Sequence, residues 1–233
     1  MEAPAVYGDG LGVVVHPPGT GGFLASLPAV SARPVRVVAV AGEDEPGAAG
    51  GVEVVRVGER VARAAAVNRG VVALPPDVGW VLLADSALRP PPGLLDTLLA
   101  AADRFPRAGA LGPRLRGPDG ALVACAGALP TARDLRRGRV PVGAPRVAGP
   151  VGWVSARCLL LRRTAWDSVD GLDPRHLGPV DSVDLCERLG RAGWLVVHVP
   201  GAEVEVAPGE APGMLEPTRS GLRRYARDRR RAR

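Results

Sequence analysis

Apolar residues in this chain fall into short unbroken runs, separated by stretches with helical spacing. LGVVVH (Leu11–His16), VRVVAV (Val35–Val40) and WVLLAD (Trp80–Asp85) read as strands whose mostly apolar character predicts burial on both faces, and VEVVRV (Val52–Val57) reads as a further strand. FLASLPAV (Phe23–Val30) predicts a helix ended by Pro28, and Glu59–Leu74 has helical composition. Pro91–Phe105 gives the clearest helix, with proline at its start and Leu94, Leu95, Leu98, Leu99 and Ala102 on one face. ALGPRLRGPDGALV then reads as a hairpin turning at PDG. VGWVSARCLLLRR returns to strand, TAWDSVDGL to a short helix, SVDLCERLGRAGW to an amphipathic helix closed by glycine, and LVVHVP to a last strand. The alternation predicts a single-domain, Rossmann-like α/β fold, a mostly parallel sheet with helices on both faces. No internal repeat is visible. The segment 130–150 is rich in Arg, Gly and Pro without period and reads as a mobile loop.

Composition sharpens this picture in three places. At 233 residues and 46% hydrophobic content the chain can bury a sizeable core, but aromatics are only 3%, so Val, Leu and Ala must fill it. No apolar run approaches the roughly 18–20 residues that span a bilayer, and no basic-then-apolar leader opens the chain, so the expectation is a cytoplasmic protein. Cys125, Cys158 and Cys186 are odd in number, sit in apolar contexts and lack zinc-ligand spacing, which predicts reduced, buried thiols. The formal charge of +6 is concentrated: Gly221–Arg233 holds seven arginines against one aspartate. The body is therefore near neutral, which argues against a nucleic-acid-binding core. The expected organisation is an extension over 1–10, a domain over 11–210 and an arginine-rich tail over 211–233. The tail reads as a solvated terminus, as a contact for anionic lipid head groups, or less readily as a nucleic-acid arm with Tyr225 its one aromatic.

Candidate chemistry begins at Asp85. Ligands of open parallel sheets bind at the carboxyl ends of the strands, and Asp85 ends one. The competing reading is a polar strand terminus meeting a turn. Ser86 and Ala87 follow it and offer no second carboxylate for a hard cation.

WVLLADSALRPPPGLLDTLL, the block from Val151 to Val206 and VNRGVVAL together resemble family-2 glycosyltransferases of the GT-A fold, nearest the rhamnosyltransferase-like branch. The resemblance spans Leu11 to Val206 and implies sugar transfer from a nucleotide diphosphate-sugar donor to an acceptor hydroxyl, with inversion. It also implies a lipid-linked or cell-envelope acceptor and Mg²⁺ or Mn²⁺ on the diphosphate. Asp85 falls on the first position of the family's D-x-D region and is the implied metal ligand, but Ala87 takes the second. The acidic pair before D-L-C appears as Asp181-Ser182, so Asp181 is the implied base, with Asp184 beside it and Arg188 after it. Asp184 and Arg188 also fit a plain i,i+4 ion pair. Asn68 and Arg69 match a block near the donor, their alternative being a helix end closed by Gly70. The aspartate expected to read the nucleotide base falls near Ala41, with Asp44 a displaced substitute. A histidine expected after the last strand falls near Val206, while His198 reads as structural. Arg157 replaces a small residue and either crowds the sugar or grips a phosphate. These departures leave open a catalytically silent scaffold of the same fold, or an arginine-tailed membrane or nucleic-acid adaptor.

Overall fold

A computed structural model describes residues 7–16, 22–43, 52–58, 61–143, 145–176, 178, 180–207 and 218–231. Strand β1 (Gly10–Val15) runs parallel to β2 (Val35–Gly42) on one side and β4 (Val78–Ala84) on the other. Between β1 and β2 lie the short helix α1 (Gly22–Ser26) and a 3-10 turn (Leu27–Ala29), because Pro28 cannot continue the helix. Strand β3 (Glu53–Val57) adds parallel to β2, and helix α2 (Arg63–Ala73) crosses back to β4. This parallel half is Rossmann-like, as the apolar runs predict.

After β4 come the two-residue strand β5 (Leu88–Arg89), helix α3 (Leu94–Arg104) and strand β6 (Ala108–Arg116). The short pieces β7 (Ala126–Gly127), α4 (Ala132–Arg136), β8 (Gly149–Pro150) and β9 (Trp153–Val154) follow. Then come β10 (Cys158–Arg162), α5 (Arg163–Asp167), α6 (Val180–Arg191), β11 (Leu195–Val206) and α7 (Arg219–Arg231). The main sheet is ordered β3-β2-β1-β4-β10-β6-β11-β5, with β8 on β11 and a separate β7–β9 ribbon. Strand β10 is antiparallel to both β4 and β6, while β6 and β11 are parallel.

Side chains alternate between two cores. Leu11, Val13 and Val15 of β1 pack with Leu94, Leu95 and Leu98 of α3, while Val14 faces Val67 and Val71 of α2. Leu82 and Leu160 join the first core, Leu83 and Leu161 the second, so the central strands are covered on both faces.

Several local expectations change. Gly70 lies inside α2 and does not close it; an added Cβ would stand 2.6 Å from side-chain carbons of both Val14 and Val40, so glycine is needed for helix–sheet approach. Helix α3 starts after left-handed Gly93 (φ 69°), leaving the prolines upstream. The hairpin return is a single bridge, Arg116 to Leu122, since β6 takes β10 and β11 as partners. The segment 130–150, expected to be irregular, contains α4, whose capping box joins Thr131 and Asp134.

The largest change is at the tail. Its described part, 218–231, forms α7, and Leu222 and Tyr225, one turn apart, are buried against the body. The Tyr225 hydroxyl donates to Glu187 of α6. Arg229 pairs with Glu187 at 2.8 Å and with the Pro130 carbonyl at 2.5 Å. Residues 218–231 are therefore docked on the body through Leu222 and Tyr225, where their charge suggests a solvated terminus. No described helix is long and apolar enough to cross a membrane.

Candidate active site

The register of β4 and β10 builds the centre of the site. Ala84 pairs with Cys158, so the next residue of one strand meets the preceding residue of the other: Asp85 meets Arg157. The Asp85 N–H donates to the Arg157 carbonyl at 2.8 Å, and Arg157 Nε donates to Asp85 Oδ2 at 3.0 Å. The other carboxylate oxygen, Oδ1, accepts from the Ala87 N–H at 3.0 Å. The side chains of Asp85 and Arg157 are only 10% and 11% exposed. In so little water a charged pair is held tightly and is costly to split. Beside it, burial pushes the Cys158 thiol pKa far up, so this cysteine stays protonated, and Cys125 and Cys186 are likewise raised by burial.

Asp181 approaches the same segment from the first turn of α6. It is 3% exposed, its Oδ2 accepts from Arg63 Nη1 at 2.9 Å and its Oδ1 from the Ser182 hydroxyl at 3.0 Å. Arg63 also donates to the Ala156 carbonyl at 2.8 Å, and Ser182 Oγ accepts from the Ala156 N–H at 2.9 Å. Two of the carboxylates that the family resemblance singles out, Asp85 and Asp181, therefore flank consecutive residues, Ala156 and Arg157, each joined to its own arginine. Nothing in the sequence points to Arg63 or to the bridging role of Ser182; Arg63 is 118 positions from Asp181 and no local spacing links them.

The remaining candidates lie elsewhere. Both ends of the Asn68 amide are engaged with the backbone of Leu172, at 2.8 and 3.1 Å, so the side chain clamps a loop. Arg69 is exposed on α2. Ala41 is buried in β2, and Asp44 lies outside the described residues. Val206 is buried at the end of β11, and His198 is fully buried in that strand, where burial lowers its pKa.

Asp184 belongs to a second cluster. Arg188 grips it at 2.7–2.8 Å, as their spacing predicts, and the Nε2 of buried His176 lies 3.5 Å away. Burial raises the Asp184 pKa, but His176 and Arg188 together outweigh that and leave it lowered. His176 Nε2 is also 3.8 Å from Asp173 and from Asp228 of α7. Arg175 clamps Asp173 and holds its carboxyl at about 2. Asp173, His176 and Asp228 place ligand atoms within 4.8 Å of one another and could hold a metal ion.

Other proteins place this architecture. GalNAc-T7, crystallised with UDP, GalNAc and Mn²⁺, matches 87% of this chain with a TM-score of 0.59 at 14% identity. S. aureus TarS, residues 1–349, matches 85% with a TM-score of 0.54 at 13% identity. The fold is that of the GT-A glycosyltransferases, and the chain covers 46% and 60% of those two neighbours. In sequence, residues 30–232 match the Glycosyltransferase like family 2 pattern. The N-acetylglucosaminyl-diphospho-decaprenol L-rhamnosyltransferase of Mycobacterium tuberculosis is 37% identical over 215 residues, covering 78% of this chain and 69% of that protein. The chain belongs to glycosyltransferase family 2 and is a transferase of that class.

The residues at the D-x-D position do not fit a divalent metal. One carboxylate is present, both of its oxygens are engaged, and one of those partners is a guanidinium. Among the described residues, Asp85 belongs to no group of metal-ligating side chains.

Proposed function

We propose that this protein moves a sugar from a nucleotide diphosphate-sugar to an acceptor hydroxyl with inversion, Asp181 acting as the base. The observation that carries this reading is the convergence of Asp85 and Asp181 on Ala156–Arg157 at the carboxyl end of β4. An acceptor hydroxyl becomes a better nucleophile as a carboxylate takes its proton, and Arg63 and Ser182 fix the orientation of Asp181. Likeness to the mycobacterial relative supports L-rhamnose as the first sugar to test and a diphospho-polyprenyl saccharide as the acceptor class.

An acceptor of that kind is membrane-bound, and α7 suits the setting. Arg219, Arg223, Arg224, Arg227, Arg230 and Arg231 are exposed on its outer side. A groove of about 830 Å³ between α4 and α7 has Leu135 and Leu222 in its lining and arginines around them. Each arginine near an anionic surface contributes about 1 kcal/mol of attraction. The protein would then work peripherally at the inner face of a membrane.

The test is transfer from UDP-, GDP- and dTDP-sugars to a lipid-linked saccharide, with Asp181→Asn as the comparison. Loss of a base should lower kcat by roughly 10²–10⁴-fold with donor affinity retained. Full activity in Asp181→Asn would refute the assignment.

A further inference from the structure

The groove between α4 and α7 carries positive charge that the fold leaves without a counter-ion. Arg136 of α4 and Arg223, Arg227 and Arg230 of α7 line it, and none of the four forms an ion pair or hydrogen bond with another described residue. No carboxylate lines it. The acids nearest in sequence are committed elsewhere: Asp134 is held by Thr131 and Arg139, and Asp228 faces His176 of the body. Like charges at i,i+4, as Arg223 and Arg227 are, destabilise a helix, and a bound anion offsets that repulsion.

The same groove has an apolar stripe. Leu222 and Ala226, four apart on α7, lie beside the row Arg223, Arg227 and Arg230, and Ala132 and Leu135 of α4 complete it. The walls are pinned together. Arg229 of α7 donates to the carbonyl of Pro130, the residue before the α4 cap, and pairs with Glu187 of α6. A groove formed in advance needs little further ordering when a ligand enters.

We propose that this groove binds the diphosphate and first isoprene units of the lipid-linked acceptor, which rests on the glycosyl-transfer reading. Arginine's planar fork matches phosphate oxygens. Four unpaired cations suit the two charges of a diphosphate bridge better than the single charge of a phosphodiester head group. The apolar stripe takes the isoprene carbons beside it, and a volume of about 830 Å³ is of the size that takes such a ligand. Glu187, which fixes Arg229, stands about 9 Å along α6 from Asp181, so groove and base are held by one helix.

Farnesyl diphosphate is a soluble probe for both features. Titrated calorimetrically into the full chain, with excess UDP, GDP and dTDP present to occupy the donor site, it should bind at one site per chain. Its affinity should exceed that of inorganic pyrophosphate or farnesol at least tenfold. Arg136→Gln/Arg227→Gln, one exposed arginine from each wall, should weaken it at least tenfold without lowering the melting temperature. Leu135→Ser should weaken farnesyl diphosphate and leave pyrophosphate unchanged. With a detergent-dispersed diphospho-polyprenyl saccharide as acceptor, the double arginine variant should raise acceptor KM at least tenfold and leave donor KM unchanged. Farnesyl diphosphate that binds no more tightly than pyrophosphate, or a double variant with parental affinity and acceptor KM, would overturn the inference while sugar transfer stands. Phosphatidylcholine vesicles carrying decaprenyl diphosphate should bind more tightly than vesicles carrying the same charge as phosphatidylglycerol; equal binding would reduce the groove to a diffuse charged surface and overturn the inference too. Absence of transfer from every donor, with farnesyl diphosphate binding intact, would refute the glycosyl-transfer reading and leave the groove a diphosphate-lipid site.

Discussion

Replacing Tyr225 by alanine tests whether the arginine-rich terminus is part of the folded domain. The side chain is 1% exposed, packs with Leu222 in the α2/α6 core, and donates its hydroxyl to Glu187. Truncating a large buried aromatic costs about 3–5 kcal/mol. The lost hydrogen bond contributes about 1 kcal/mol of that total, because Glu187 keeps Arg191 and Arg229, each at 2.8 Å. A total near 4 kcal/mol, at about 2–4 °C per kcal/mol for a domain of this size, lowers Tm by roughly 10–15 °C. Chemical denaturation followed by circular dichroism gives the same quantity independently. Tyr225→Phe should lose only the hydroxyl contribution, about 1 kcal/mol. If Tyr225→Ala costs less than about 0.5 kcal/mol, as at an ordinary surface position, α7 is not docked and the reasoning fails.

Three further outcomes follow from other parts of the structure. Gly70→Ala forces a methyl group to 2.6 Å from Val14 and Val40. Overpacking of about 1–3 kcal/mol should outweigh the gain of about 1 kcal/mol in helix propensity, so the variant should melt lower than the parent. Burial lowers the His198 pKa below its ordinary 6.5, so below that pH the unfolded chain takes up a proton that the folded one resists. The stability of wild type relative to His198→Gln should therefore be greatest above pH 6.5 and fall as pH drops below it; a pH-independent difference in urea midpoints would contradict this. Sedimentation with vesicles should show binding to phosphatidylglycerol but not phosphatidylcholine, weakened by salt and by Arg223→Glu/Arg227→Glu/Arg230→Glu; equal binding to both lipids would rule out the charged face.

The parts of the fold legible in the sequence are those with a local signal. β1 and β4 are unbroken apolar runs, β2 is apolar apart from exposed Arg36, and α3 and α6 carry helical periodicity, so the pattern places each within a few residues. Asp184 and Arg188, four apart on one helix, pair as their spacing requires for the same reason. Helix α7 is hidden because arginine dominates its composition, while only Leu222 and Tyr225 report the buried face. The site is half legible. Family likeness locates Asp85, Asp181 and Arg157, but their partners depend on strand order: Arg157 reaches Asp85 across 72 positions and Arg63 reaches Asp181 across 118. The Asn68 amide is likewise engaged 104 positions away, which no spacing rule predicts.

The register that sets Asp85 opposite Arg157 also constrains how this site can change. Removing the arginine alone strands a carboxylate that is 10% exposed, and breaking a buried pair in this way costs about 3–5 kcal/mol. Installing a second acid by Ala87→Asp alone adds a negative charge where an arginine already occupies the first acid, so no open ion seat results. Each single change loses something before the pair of changes gains anything. Geometry alone therefore ties the two positions together, so that an open pair of acids at this strand end needs Arg157 and Ala87 to change in concert.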